Sequence, residues 1–470
     1  MISLNKLNKG VVKIYSDYIT YNWELPPNIL DSITTTGTGF FIDKNGHIIT
    51  CSHCVENSTN VLIQIPGENL KKYKCNILSI NPTLDIALLQ IIDYKPKVFF
   101  ELGNKKSVKY GDNVYAVGFP GNYTNNNYKN DGNLKITNGI LSGQQFGLYQ
   151  TDSAINPGNS GGPLFKNKKV IGINVAKLTG SDSDNIGYSV PIDYFIKNKK
   201  LYLNKKRKII FPIIPTFIFS RINKNMLNIL NKKNSKNTGV IISNVFNNSC
   251  FKKAGLKKDS ILLKINNYKI DNYGNINKIW FGQKISINIL FKEFKEHEKI
   301  KITFINKKKI ITKDVILEPY KFKIRKIYPK YEKLDYLIIG GMVLLNFSTN
   351  IIEYFIKKFY MYELEFFGTQ EARLKPKIII TQIFPNSNLD ILNIYKKMNF
   401  IEKINNIKVD TIAKAKKALT KFIKKNNKTY IKFENNNNKT VIFNTKKILK
   451  EDTQLSEMYN FELSNIHKKL

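Results

Sequence analysis

Asn156-Pro157-Gly158-Asn159-Ser160-Gly161-Gly162 is the stretch on which the reading of this 470-residue chain turns. It sets one serine, Ser160, in a glycine-flanked turn. Gly158 lets the backbone come close to an incoming carbonyl, and Gly161 permits a sharp exit without a Cβ clash. Amides in the run Gly158, Asn159, Ser160, those of Gly158 and Ser160 above all, suit the stabilisation of an oxyanion. The same residues also read as a Gly/Asn surface turn with an incidental serine.

Two segments upstream bear on that choice. His47-Ile-Ile-Thr-Cys-Ser-His-Cys-Val55 is an apolar strand running out at His53. It pairs with Gly37-Thr-Gly-Phe-Phe-Ile42 through the turn Asp43-Lys-Asn-Gly46, a hairpin signal. Asn81-Pro-Thr-Leu-Asp-Ile-Ala-Leu-Leu-Gln-Ile91 places Asp85 at the entrance to a strand that is apolar on both faces, where a carboxylate needs a partner. A serine hydroxyl needs a base within hydrogen-bond reach. A histidine supplies it, and an aspartate fixes the tautomer and stabilises the imidazolium. The chain order His53, Asp85, Ser160 is that of chymotrypsin-type triads. Taken singly, each residue also reads as structural: a core histidine, a turn aspartate, a loop serine.

The chain resembles the Deg/HtrA-type serine proteases, a chymotrypsin-fold domain followed by PDZ domains. The matching segments are Gly37–Phe40, Thr50–Val55, Asp85–Leu89, Gln150–Leu164, Val170–Asn174 and Asn185–Pro191. The layout downstream resembles the two-PDZ Deg proteases of plants and protists more than the bacterial periplasmic members. The resemblance implies a mainly β fold: a chymotrypsin-like double β-barrel over residues 1–200, then two α+β PDZ-like domains. It implies a specificity pocket lined by Ala154, Ile155, Asn174, Val175, Gly187 and Tyr188. Ala154 stands where a trypsin-like enzyme keeps an aspartate, so small or medium aliphatic side chains are expected before the cut. The run between Gly143 and Gln150 is shorter than the regulatory loop of many relatives, and Gly121–Asn133 is read as a long surface loop. Members of the family usually assemble as trimers or multiples of them, so a homo-oligomer is expected.

Residues 201–208, rich in Lys and Asn, read as a linker. Residues 209–320 resemble a first PDZ domain, carried by Thr238–Phe246, Ala254–Asp259 and Ile261–Asn266. Residues 335–445 echo it: Ile378–Ser387 repeats Val240–Cys250, Ile404-Asn-Asn406 repeats Ile265-Asn-Asn267, and Thr411–Ile423 supplies a helix. An unrelated α+β domain is the other reading of this second module. Residues 446–470 are left as a tail. Such modules take peptides by strand addition, with backbone amides on a terminal carboxylate. The corresponding loops are Thr216-Phe217-Ile218-Phe219 and Gly341-Met342-Val343-Leu344; the first carries Ile218 where such loops commonly have glycine.

Cys51-Ser-His-Cys54 has the spacing of a redox or metal motif, yet there is no second CxxC and the histidines do not cluster with it. All four cysteines read as reduced thiols, and neither metal nor cofactor is expected. The amino terminus lacks an apolar run of signal-peptide length. Tyr336–Phe347, about a dozen residues, falls short of the roughly 20 that cross a bilayer. These features point to an intracellular protein, cytoplasmic or nuclear, without a membrane span.

The net charge is +39, and residues 1–200 hold 21 Lys/Arg against 15 Asp/Glu, so most of the excess lies downstream. Only Arg207, Arg221, Arg325 and Arg373 are arginine, whereas arginine is the favoured bidentate reader of phosphate and guanine. The charge therefore reads as compositional bias, with non-specific attraction to polyanions as its physical consequence. Unfolded protein or peptide is the expected substrate. The alternatives are a catalytically silent PDZ scaffold and a nucleic-acid binder.

Overall fold

Asp43–Gly46 forms the hairpin turn the sequence predicts: Gly46 has φ +78°, the Asp43 carboxylate accepts the Asn45 amide at 2.9 Å, and Phe40 pairs with Ile49. This hairpin belongs to the first of two closed barrels. In the computed structural model, residues 2–467 are described except 27, 69–70, 122–132, 176–185, 224, 226–237, 281 and 308. The long loop expected at 121–133 thus lies almost wholly outside the described residues.

The first barrel comprises β1 (Val11–Tyr21), β2 (Ile29–Phe41), β3 (His47–Thr50), β4 (Ser58–Gln64), β5 (Lys72–Asn81) and β6 (Ile86–Ile91), closed in the order β1-β2-β3-β6-β5-β4. Strand β6, Ile-Ala-Leu-Leu-Gln-Ile, is apolar on both faces because both are buried. The second barrel comprises β7 (Asn113–Gly118), β8 (Lys135–Gln145), β9 (Leu148–Thr151), β10 (Pro163–Lys166), β11 (Lys169–Val175) and β12 (Gly187–Pro191), closed as β10-β11-β12-β9-β8-β7. This is a chymotrypsin-like double barrel.

Residues 201–208 are not a free linker. The Asp193–Tyr202 helix runs into them, the Tyr202 ring is buried, and Ile80 and Lys208–Ile210 exchange two backbone hydrogen bonds of 2.8 Å. The first downstream module contains β13 (Phe217–Ser220), β14 (Val240–Val245), β15 (Ile261–Ile265), β16 (Tyr268–Lys269), the hairpin β17 (Asn275–Trp280) and β18 (Gln283–Ser286), then β19 (Lys299–Asn306) and β20 (Lys309–Ile316). Its main sheet runs β13-β14-β15-β19-β20, with β16 on β15. This module and the double barrel form one compact unit rather than two independent bodies. Val114, Leu141 and Tyr149 of the second barrel share a core with Phe217, Trp280 and Phe291.

The second compact unit is residues 321–470 together with Ile19–Ser32, the far ends of β1 and β2 and the turn between them. It contains β21 (Tyr336–Ile339), β22 (Met342–Asn346), β23 (Ile378–Ile383), β24 (Phe400–Ile404), β25 (Ile407–Lys408), β26 (Ile423–Lys425), β27 (Lys428–Asn435) and β28 (Thr440–Asn444). The run β22-β23-β24-β27-β28, with β25 on β24, repeats the run β13-β14-β15-β19-β20, with β16 on β15. The Ile412–Leu419 helix is capped by the Thr411 side chain and stands where Ile287–Phe291 stands in the first module. Residues 446–470 are no loose tail, because Thr445–Tyr459 is a helix that buries Ile448, Asp452 and Leu455. Trp23 and Leu25 sink into this unit's core with Ile324, Phe347, Ile351 and Phe355. The buried Glu24 carboxylate pairs with Lys397 at 2.7 Å and with Lys358.

Candidate active site

Strand β3 ends at Thr50, and the chain enters a single 3-10 turn, Ser52–Cys54, that lifts His53 out of the first barrel. Asp85 ends the turn that leads into β6, and its φ of +54° aims the carboxylate back at that 3-10 turn. The two residues meet twice: His53 N–H donates to Asp85 Oδ1 at 2.9 Å, and His53 Nδ1 lies 2.8 Å from Asp85 Oδ2. With Nδ1 committed to the carboxylate, Nε2 is the nitrogen presented to a reacting group, and the imidazole remains 47% exposed. Burial works against the imidazolium, but the Asp85 hydrogen bond, helped by the Cys54 sulfur, outweighs it and raises the His53 pKa above the ordinary 6.5.

Ser160 lies in a turn held from several sides. The Ser160 carbonyl accepts the Thr38 amide at 2.9 Å and lies 3.7 Å from Cys54 Sγ, the neighbour of His53 in sequence. This brings the Ser160 turn to the corner occupied by the His53–Asp85 pair. Gly158 and Gly161 have φ of +98° and +86°. A Cβ at Gly161 would sit 2.1 Å from Thr50 Oγ1, and one at Gly158 would sit 2.3 Å from the Phe119 carbonyl. Asn159 departs from the expected oxyanion set, because its amide donates to the Asn156 carbonyl at 2.9 Å.

Sequence reasoning gave Thr38 no role, yet it is the clamp of this turn. Its hydroxyl donates to the Gly158 carbonyl at 2.6 Å and accepts the Phe119 amide at 3.0 Å. Its own carbonyl accepts the Thr50 hydroxyl at 2.7 Å. The one available signal was its position between two glycines in the segment Gly37–Phe40.

Of the expected pocket residues, Ile155, Gly187 and Tyr188 stand together. A Cβ at Gly187 would meet Ile155 Cδ1 and the Ser153 carbonyl at 2.9 Å, so only glycine fits beside Ile155. The Tyr188 hydroxyl donates to Gln145 Oε1, and Ala154 is exposed with its carbonyl accepting the Thr137 hydroxyl at 2.9 Å. Val175 ends β11, at the edge of the described residues. Asn174 does not line a pocket. It is fully buried, with Nδ2 donating to the Pro163 carbonyl at 3.2 Å and Oδ1 accepting the Ser189 hydroxyl at 3.0 Å. Its backbone braces the Ser160 turn, accepting from Gly161 and donating to Gly162 at 2.8 Å each.

All four cysteines are free. Cys51, His53 and Asp85 each bring a ligand atom within 4.8 Å of the others, the one such group among the described residues. His53 and Asp85 are bonded to each other, and Cys51 is buried with its thiol donating to the Asn174 carbonyl at 3.3 Å. Burial and the Asp85 charge hold that thiol pKa well above its ordinary value. The loop positions expected to grip peptide termini fall differently in the two modules. Phe217–Phe219 lies on the edge strand β13 beside the buried Thr216. Gly341 ends a two-residue turn, and Met342–Leu344 lies in β22, which is hydrogen-bonded on both edges. Gly341–Leu344 is therefore not an open carboxylate loop.

Residues 37–173 match the family of the trypsin-like peptidase domain. The chain is 27% identical over 311 residues to the serine protease Do-like HtrA of Bacillus subtilis, covering 61% of this chain and 64% of that protein. It is 28% identical over 360 residues to the putative mitochondrial protease Do-like 3 of Arabidopsis thaliana, covering 73% and 61%. A probable periplasmic serine endoprotease DegP-like of Pseudomonas putida is 29% identical over 50% of this chain and 48% of its own length. The chain thus spans between about half and just under two thirds of these curated relatives. Among solved structures, the HtrA-type protease AlgW with tripeptide superposes with TM-score 0.50 at 18% identity, over 67% of this chain and 97% of that one, a likeness of fold. With its double barrel, its His53–Asp85 pair and its glycine-flanked Ser160, the chain carries a trypsin-like peptidase domain and is similar to the Deg/HtrA-type serine proteases.

Proposed function

We propose that the protein is an ATP-independent serine endopeptidase that cuts unfolded or damaged protein chains after small or medium aliphatic residues. The observation that carries this reading is the doubly hydrogen-bonded His53–Asp85 pair at the corner where the Ser160 turn is clamped. In the proposed cycle, Ser160 Oγ attacks the scissile carbonyl carbon and His53 Nε2 takes its proton. The carbonyl oxygen becomes an oxyanion facing the amides of Gly158 and Ser160. The carbon–nitrogen bond then breaks, and the imidazolium returns its proton to the leaving amine. Water, deprotonated by His53, releases the acyl group. Asp85 holds the tautomer throughout.

The aliphatic preference rests on Ile155 packed beside Gly187, with no acid at Ala154 to receive a basic side chain. Discrimination by such a pocket is modest, roughly 1–3 kcal/mol per methylene. The two repeated modules are read as PDZ domains, supported by their shared strand order and by the helix at the corresponding place in each. A homo-oligomer, trimeric or a multiple of three, is part of the same proposal, as is a reducing compartment, in keeping with four free cysteines. A catalytically silent scaffold has nothing in its favour, since all three triad side chains are present. The test is digestion of an unfolded protein such as casein beside an active-site serine probe. Wild type is expected to cut and to be labelled. Ser160→Ala should lose several orders of magnitude in turnover while retaining substrate binding. Undiminished cleavage by that variant would refute the assignment.

A further inference from the structure

Cys51-Ser52-His53-Cys54 brackets the His53 imidazole with two thiols, and the cycle proposed above uses neither. Cys51 opens the 3-10 turn at Ser52–Cys54, and Cys54 closes it. Side chains three residues apart in such a turn eclipse one another. The Cys54 amide donates to the Cys51 carbonyl at 3.3 Å. A turn closed in this way holds its outer Cα atoms within about 7 Å. A disulfide spans roughly 4.4–6.8 Å between Cα atoms, so the two residues are within bridging reach.

Both sulfurs also converge on the peptide bond between Ser160 and Gly161. Cys54 Sγ lies 3.7 Å from the Ser160 carbonyl, and Cys51 Sγ donates to the Asn174 carbonyl at 3.3 Å. That same Asn174 carbonyl accepts the Gly161 amide at 2.8 Å. One thiol therefore supports the carbonyl end of this peptide bond, and the other supports the acceptor of its amide end.

The two thiols are unequal. Cys54 is partly exposed and interacts with the His53 ring. Cys51 is fully buried, and burial with the Asp85 charge holds its thiol well above the ordinary range. An oxidant must reach the sulfur it attacks, so Cys54 is the residue that reacts first and Cys51 the one that resolves it. The other two cysteines stand apart: Cys75 is buried in β5, and Cys250 belongs to the first downstream module.

We propose that Cys51 and Cys54 are a redox pair that switches the site off: a peroxide oxidises them to a disulfide, and a dithiol restores them. The effect on cleavage rests on the proteolytic reading; the bond itself does not. The Cys54 sulfur attacks one peroxide oxygen, the O–O bond breaks, and the departing hydroxide takes the thiol proton to become water. The Cys51 sulfur then attacks the Cys54 sulfenic acid. The S–S bond forms, the S–O bond breaks, and the hydroxide leaves with the Cys51 proton as a second water. Two thiols give up two electrons, and the peroxide is reduced to two waters. Bridging draws both sulfurs away from the Ser160–Gly161 peptide bond. It also tightens the turn that carries His53, whose amide and ring are both bonded to Asp85. In the reducing compartment proposed above, the pair rests as thiols and the site is open.

The test uses the full-length chain, with hydrogen peroxide as oxidant and dithiothreitol as reductant. Each protein is compared with its own reduced state, by casein digestion and by peptide mapping after thiol alkylation. Oxidised wild type is expected to carry a Cys51–Cys54 bond and to lose at least tenfold in cleavage, recovered on reduction. Cys51→Ala is expected to stop at the Cys54 sulfenic acid, trapped by dimedone. Cys54→Ser is expected to form neither bond nor adduct and to resist the oxidant. Inactivation of wild type without the bond, or equal inactivation of Cys54→Ser, places the damage elsewhere and overturns the proposal. A mapped bond that leaves cleavage undiminished overturns it as well. If reduced wild type cuts nothing, the proteolytic reading fails by itself, and hydrogen exchange of the His53 and Gly161 amides decides the pair. At least tenfold faster exchange on oxidation supports the switch, and unchanged exchange rejects it. Should Cys54→Ser not fold, the wild-type map decides, since inactivation without the bond is sufficient to reject the pair.

Discussion

Replacing Thr38 by valine keeps the β-branched shape and removes both hydrogen bonds of the hydroxyl, to the Gly158 carbonyl and from the Phe119 amide. Each buried group left unpaired costs about 1–3 kcal/mol. Thr38→Val is expected to lower the melting temperature and to reduce kcat about tenfold or more, with Thr38→Ser close to wild type in both assays. The pH profile of turnover offers a second check. The proposed cycle needs neutral His53, whose pKa is raised, so kcat/KM should climb from neutral into alkaline pH. Asp85→Asn removes the main group that raises it and should move the rising limb to lower pH while cutting kcat by about 10⁴. A limb that stays put would separate Asp85 from His53. For stability the sign is opposite: the raised pKa favours the folded state fully below about 6.5, and that contribution fades as pH rises through the folded value. The pairing of His53 with Asp85 was legible in the sequence because an imidazole and an acid at strand ends are chemically distinctive residue types in a telling order. Thr38 and Asn174 were not, since each acts on a partner chosen by folding. Gly158, for instance, is 120 residues beyond Thr38. Asn159 was misjudged because only the turn itself shows which amide it consumes.

The Ile287–Phe291 helix and the residues just after it show how the first module is fixed to the second barrel. The Lys292 ammonium donates to the Phe146 carbonyl at 2.7 Å, and Tyr149 of β9 lies against Trp280 with ring centroids 5.8 Å apart. Glu293, nearly buried, accepts from Lys105 and Lys278 and has Lys197 at 3.6 Å. Burial alone would push its carboxyl up, but the hydrogen bonds from Lys105 and Lys278 outweigh that and hold its pKa below the ordinary 4.5. Its contribution is therefore complete above about pH 4.5 and is lost as pH falls through the lowered folded value. Glu293→Gln should make hydrogen exchange in β17, β18 and β9 faster at neutral pH, and acidifying wild type below pH 4 should reproduce the effect. Strands and hairpins with Asn-Gly or Asn-Asn turns were readable, as was the Thr411-capped helix, because turn and cap chemistry is local. The 201–208 stretch read as a linker because Lys and Asn dominate it, while its backbone pairing with Ile80 leaves no trace in composition. Strand β21 was hidden for a related reason: Tyr336–Phe347 is one apolar run, and only folding shows that Gly340-Gly341 turns it into a hairpin.

The charge of +39 predicts behaviour of the full chain that no single side chain predicts. Retention on single-stranded DNA or another polyanion should be measurable at low salt and fall steeply, with a log–log slope of about −0.7 per phosphate neutralised and no sequence preference. A shallow slope with clear sequence preference would instead mark a built nucleic-acid site. Two barrels followed by two further sheet modules match the order of the motifs, but the division into compact units was not legible. Burial of Trp23 and Leu25 depends on apolar partners some 300 residues later, for which a linear reading has no signal. That interleaving has a practical consequence. A protease excised at residue 320 would present an indole and a leucine stripped of their neighbours, together with a Glu24 carboxylate bereft of both lysines. Such a fragment should self-associate and melt early. Activity lost on trimming the chain would then report a wounded hairpin rather than a missing substrate receptor.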